Sequence, residues 1–75
     1  ELLAVGVNGS EIRLELTREF TSGRAYLFTI QGGVISDKSV EGNMIKFDIT
    51  LLQPGIYIVV LSKKGISKAF KIIKP

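Results

Sequence analysis

Ten cationic side chains, seven carboxylates, four phenylalanines and two tyrosines carry what chemistry this 75-residue chain can offer, for it holds no histidine and no cysteine. Without histidine, no imidazole base can activate a serine, and without cysteine no thiolate can attack or ligate a metal. A metal would have to be held by carboxylates alone. Glu11 and Glu15 share one face of an alternating segment, about 13 Å apart at the rise of a strand, which reads as a solvated outer face. Asp37, Glu41 and Asp48 are scattered, with no calcium-loop spacing. Gly32-Gly33 is not a phosphate loop, since no helical pattern follows it. Tyr26, Phe28 and Phe47 could stack bases, but each alternates in a strand-like run, and the expectation is core packing. These readings assign no catalytic residue, no cofactor and no metal, and they describe a domain that is not an enzyme.

Charge is unevenly placed. Residues 1–62 carry five basic and seven acidic residues, whereas residues 63–75 carry five lysines and no acid. The basic set is Lys63, Lys64, Lys68, Lys71 and Lys74. It reads either as protection of an edge strand or as a contact surface for an anionic partner. On a strand, Lys68 and Lys74 fall on one side and Lys71 on the other. The lysines lie in one segment without interleaved exposed aromatics, which argues against nucleic acid.

The elements that position these residues follow period two. Ile12, Leu14 and Leu16 alternate with Glu11, Arg13 and Glu15, as in a half-buried strand. The alternation favours strand over a short helix from Leu14 to Phe20. Arg24 to Gln31 sets Tyr26, Phe28 and Ile30 against Ala25, Leu27 and Thr29. Both faces are apolar, which predicts a central strand. Val34 to Val40 is weaker. Met44 to Thr50 alternates Ile45, Phe47 and Ile49 with polar neighbours, Ile56 to Leu61 is apolar throughout, and Ile66 to Lys74 comes last. Leu2 to Val7 is a candidate first strand. Turn residues that tolerate positive φ separate the runs at Asn8-Gly9, Ser22-Gly23, Gly32-Gly33, Gly42-Asn43, Pro54-Gly55 and Lys64-Gly65. Pro54-Gly55 predicts a type II turn, with Pro setting φ and Gly supplying its positive value.

About seven short strands with turns at this spacing predict an all-β fold, an Ig-like antiparallel β-sandwich or a small barrel, with the sandwich preferred. Residues 1–75 make a single domain. A chain this short buries only about 60–65 % of its unfolded surface, and no disulfide can help it. No apolar run reaches the ~20 residues of a membrane span. The absence of an initiator Met reads Glu1 as a fragment boundary with a larger protein upstream, and Pro75 as a natural terminus.

Four features in order resemble one known module. Leu52-Gln53-Pro54-Gly55-Ile56-Tyr57-Ile58-Val59 is similar to the leucine, Pro/Ala-Gly turn and aliphatic-Tyr-aliphatic strand of the type A C-terminal sorting domain of type IX secretion cargo in Bacteroidetes. Asp48-Ile49-Thr50-Leu51-Leu52 resembles that family's approach to the turn, Gly32-Gly33-Val34-Ile35 its glycine-aliphatic turn, and Lys68-Ala69-Phe70-Lys71-Ile72-Ile73-Lys74 its lysine-rich last strand. The resemblance runs from about Glu11 to Pro75. Family members open with a Pro-Asn-Pro element, whereas Gly6-Val7-Asn8-Gly9-Ser10 stands here without proline.

The resemblance implies a signal that carries its parent protein through the periplasm and across the outer membrane to the cell surface. The implied partners are the outer-membrane secretion machinery and a surface sortase. It implies Pro54, Gly55 and Tyr57 as hairpin-shaping positions and the five terminal lysines as candidate contacts. The missing prolines and the basic tail leave an alternative, a retained surface domain acting as a docking or lipopolysaccharide-binding module. A carbohydrate-binding or spacer module ranks lower, since Tyr26 and Tyr57 both sit in apolar runs.

Overall fold

A computed structural model describes residues 2–16 and 22–75, with side chains from residue 5 onward. Seven strands follow one another: β1 (Leu2–Val7), β2 (Glu11–Leu16), β3 (Arg24–Thr29), β4 (Val34–Ser39), β5 (Met44–Asp48), β6 (Gly55–Lys63) and β7 (Ile66–Lys74). They form two antiparallel sheets, one ordered β1-β2-β5 and the other β4-β3-β6-β7. The chain is all-β, and this three-plus-four partition is consistent with an immunoglobulin-like sandwich. The strand reading of Leu14 to Phe20 holds as far as Leu16, and its residues 17–20 lie outside the described part. Among the described residues no helix is long and apolar enough to cross a membrane.

Alternation places the core. Ile12, Leu14 and Leu16 from β2 and Ile45 and Phe47 from β5 meet Ala25 and Leu27 from β3, Val59 and Leu61 from β6 and Ile72 from β7. Register keeps them together: Leu14 lies opposite Ile45, Ala25 opposite Leu61, and Leu27 opposite Val59. A one-residue slip would turn every one of these side chains outward. β3 is central, as its two apolar faces predict, because it pairs with both β4 and β6.

Tyr26 and Phe28 correct one expectation. Phe47 is in the core, but Tyr26 and Phe28 are half-buried on the outer face of the four-stranded sheet, their rings 6.1 Å apart. Ala25 and Leu27 occupy the inward positions of β3, and a strand cannot turn neighbours to the same side.

The turns use less glycine freedom than the sequence offers. Between β1 and β2 the Asn8 carboxamide oxygen accepts from the Ser10 and Glu11 amides at 2.8 and 2.9 Å, and Gly9 keeps an ordinary φ. Between β3 and β4, Thr29 accepts from the Gly32 amide at 3.0 Å and its own amide donates to Gly33 at 2.9 Å. Gly32 supplies the left-handed residue there, φ 98°, as a three-residue hairpin loop requires. The β4–β5 connection is tied to both sheets, since Val40 donates to the Gly23 carbonyl at 2.8 Å and Asn43 accepts from the Leu16 amide at 2.7 Å.

This burial map predicts a sharp contrast. Leu14→Ala, at 0 % exposure, should destabilise the domain by about 3 kcal/mol. Leu51→Ala, at 97 % exposure, should stay within about 0.5 kcal/mol of wild type. Urea unfolding followed by circular dichroism compares the two, and similar losses would contradict the assigned register.

Candidate functional site: the terminal hairpin and the corner beneath it

The residues that carry the family resemblance meet at one pole of the sandwich. β5 ends at Asp48, the chain crosses to the other sheet through 49–54, and β6 leaves from Gly55. The corner begins with a hydrogen-bonded turn, Leu52 amide to Ile49 carbonyl at 3.0 Å. Its start is held to the β1–β2 turn, where the Ser10 carbonyl accepts from the Ile49 amide at 2.9 Å. Asp48 accepts from the Thr50 amide at 3.0 Å and from the Thr50 hydroxyl at 2.7 Å.

Pro54-Gly55 differs from the type II turn that its sequence predicts. Gly55 has φ 152°, in a region favouring glycine but far from the value near +80° of a type II turn. It already pairs with Lys74 as the first residue of β6. The Gln53 carbonyl, which would close that turn, accepts instead from the Tyr57 hydroxyl at 2.5 Å. A tyrosine that starts a strand and bonds a carbonyl just upstream is the device that holds the equivalent corner of immunoglobulin-like sandwiches. Pro54, Gly55 and Tyr57 thus lie within one bend, with Tyr57 packed against the core.

Lys74 closes this pole. Its side chain is 7 % exposed, and it is the buried charged residue of the described core. The ammonium donates to the carbonyls of Ile49 at 2.7 Å and Leu52 at 2.5 Å, with Thr50 at 3.4 Å. An ammonium has three N–H donors and no acceptor, so three carbonyls satisfy it. Burial without such partners would be strongly unfavourable. Alternation correctly places Lys74 on the side of Ile72 and Lys68, but it cannot say that the side chain goes inward; that depends on a corner more than twenty residues earlier in the chain.

The other terminal lysines are separated. β6 and β7 form one long antiparallel hairpin, paired from Gly55–Lys74 to Lys63–Ile66. Lys64 and Gly65, at φ 48° and 83°, make its two-residue turn, with the doubly positive φ of a type I′ hairpin. Lys63 and Lys64 therefore lie at the pole opposite Lys74. Lys68 is exposed near that end. Lys71 stands on the outer face, in register with Ile58. The five lysines form no single patch.

What the sequence reading missed is the face between the poles. In register across the four-stranded sheet, Val34, Phe28, Ile58 and Lys71 form one row, Asp37, Tyr26, Val60 and Ala69 a second, and Ile56 and Ile73 a third. Val34, Ile56 and Ile73 are 60 %, 42 % and 61 % exposed. The other sheet shows water a charged outer face, with Arg13 paired to Glu11 at 3.0 Å and Lys46 and Asp48 on the adjoining strand. The signal was present in the two-sided apolarity of β3 and β6, but it reads equally well as burial on both sides. Among the described residues no group of three or more His, Cys, Asp or Glu side chains could hold a metal.

Two predictions concern the corner. Lys74→Met keeps the aliphatic stem and strips the carbonyls of their donor, so it should lower unfolding free energy by about 2–3 kcal/mol, and Tyr57→Phe by about 0.5–1 kcal/mol. Unchanged urea midpoints would show that neither contact holds the bend. The second is pH dependence. The Thr50 backbone amide, then the Thr50 hydroxyl, hold the Asp48 carboxyl below its ordinary value of 3.8, against the opposing effect of desolvation and with smaller help from Lys38 and Lys74. A depressed folded-state pKa stabilises the fold above the unfolded value, and that contribution is lost as pH falls through the folded value. Urea midpoints should therefore fall as pH drops below about 4, and Asp48→Asn should flatten that part of the profile.

A family model of the secretion system C-terminal sorting domain matches residues 8–75. No curated protein and no solved structure matches the chain. The match spans strands β2 to β7 with both the corner and the terminal hairpin, so the chain belongs to the family of secretion system C-terminal sorting domains, those of type IX secretion.

Proposed function

We propose that this domain is the signal that takes its parent protein through the periplasm and across the outer membrane by the type IX route to the cell surface. The family match over residues 8–75 carries the reading. A sorting signal needs a defined folded surface and no reacting groups. In this reading the secretion machinery recognises the terminal hairpin, and a surface sortase then removes the domain.

Two features of the hairpin support recognition there. β7 is an edge strand, and an edge can take up a further strand, with backbone hydrogen bonds giving affinity and alternate side chains giving selectivity. The adjoining face exposes Ile56, Ile73 and Val34 around half-buried aromatics, and contiguous exposed apolar surface of this kind marks interaction sites. Lys68 and Lys71, exposed along β7, would speed encounter with an acidic partner. Pro54, Gly55, Tyr57 and Lys74 serve by holding the hairpin in shape.

Fusing residues 1–75 to a periplasmic reporter in a type IX-competent cell should move the reporter to the cell surface or medium. Ile73→Asp, at an exposed position, should leave the unfolding midpoint nearly unchanged and reduce export several-fold. A reporter that stays in the periplasm sinks the sorting reading. Full export by a folded Ile73→Asp fusion would remove the outer face from it.

A further inference from the structure

The pole opposite Lys74 holds a cleft that the sorting role leaves unused. Ser22, Gly23 and Arg24 at the start of β3 and Ser62, Lys63 and Lys64 at the end of β6 border an open cleft of about 430 Å3. That is room for a tetrahedral oxyanion and part of the group bearing it. Among the described residues the lining side chains comprise three cations and two hydroxyls, with no carboxylate. Such a lining is rich in N–H and O–H donors and has few acceptors. It suits an anion and offers nothing to a cation.

The arginine is already oriented. Its Nη2 donates to Asp37 Oδ1 at 2.7 Å and its Nη1 to the Ser39 hydroxyl at 3.2 Å. The guanidinium also lies 6.0 Å from the centre of the Tyr26 ring. Ser62 is its direct cross-strand partner. A guanidinium has five donors, so two occupied ones leave others for a ligand. Asp37 pairs with Arg24, and Lys64 adds a positive charge at the rim of the cleft.

Backbone conformation points to the same place. Among the described residues, Ser22 at φ 68° and Lys64 at φ 48° are the non-glycine residues with positive φ, and both line this cleft. The left-handed region disfavours any side chain with a Cβ. At the first position of a type I′ turn, Asn, Asp or Gly is the favoured choice. A lysine there works against the turn and adds charge at the cleft. Strained residues of this kind gather at functional sites.

We infer that the cleft bounded by Ser22, Arg24, Ser62 and Lys64 binds a phosphate-type oxyanion, free or carried on a lipid or sugar headgroup. Arg24 clamps the oxygens, the two serine hydroxyls donate to them, and Lys64 closes the open side.

Amide and guanidinium NMR shifts of the 75-residue chain, titrated with inorganic phosphate against chloride at constant ionic strength, test this directly. Saturable shifts should appear at Ser22 to Arg24 and Ser62 to Gly65 and not around Lys74. Lys64→Asn should raise the unfolding midpoint, since asparagine suits the turn, while weakening phosphate binding about fivefold or more. Arg24→Gln should weaken it likewise. Lys46→Gln, on the other sheet, removes the same charge and should leave binding unchanged. Absent or non-saturable shifts, or equal weakening by Lys46→Gln, overturn the proposal. Co-sedimentation with phosphatidylcholine vesicles containing phosphatidic acid, lost in Lys64→Asn, would assign the phosphate to a lipid. Saturable phosphate binding without co-sedimentation would assign it to a soluble ester or sugar phosphate.

Discussion

The ammonium of Lys74, seated on the carbonyls of Ile49, Thr50 and Leu52, is the contact on which the rest of the sandwich depends. A 75-residue domain without a disulfide has little hydrophobic surplus, and its last strand and the corner where the chain changes sheets meet at one pole. One side chain holds both. It draws the end of β7 against the corner, which keeps Ile72 in the core, and it satisfies corner carbonyls that no ladder can reach. The corner is in turn bonded to Ser10 in the β1–β2 turn, which the Asn8 side chain shapes. The beginning, middle and end of the chain thus meet through a short series of polar contacts.

This explains why the family-like residues cluster as they do. Asp48, Thr50, Leu52, Pro54, Gly55, Tyr57 and Lys74 are far apart along the chain or set by turn chemistry, yet they build one corner. Their roles here are geometric: a capped turn, a bend, a tyrosine strut and a buried cation. The surfaces proposed for recognition are ones that the corner holds in place. The two outer faces differ in character. The β1-β2-β5 face carries charged side chains, with Arg13 paired to Glu11 along β2, as a solvated face should. The face of the other sheet carries aromatic and aliphatic side chains from all four strands, with Arg24, Asp37 and Lys71 at or near its borders.

The fold was legible in the sequence wherever one face of a strand had to be dry. The alternation of Ile12, Leu14 and Leu16 and of Ile45 and Phe47 gives both strands and their inward faces. The apolar pair of faces on β3 gives its central place. Legibility fails where a decision is not local. Tyr26 and Phe28 lie outside because Ala25 and Leu27 lie inside, and that choice is made by the register with Val59 and Leu61. Lys74 looks like one more exposed lysine until the corner supplies its acceptors. Gly55 looks like a turn glycine, but the strand claims it first. Lys64-Gly65 reads as a turn in the sequence, but only the hairpin register shows that Lys64 takes its first position, one suited to asparagine.

β6 is the beam that joins these parts. At one end Gly55 and Tyr57 enter the corner, and at the other Lys63 and Lys64 leave into the tight turn. Its inward side chains are core and its outward ones lie on the apolar face. Such a face beside a free strand edge invites indiscriminate pairing. Lys68 and Lys71 on β7 limit it, since a strand docking there must accommodate two cations, and β7 of a second copy would bring the same charges against them. The same lysines leave the edge open to a segment with carboxylates at matching positions. In the proposed reading, protection from self-association and selectivity for a partner would come from one set of side chains, placed where the edge would otherwise accept any strand.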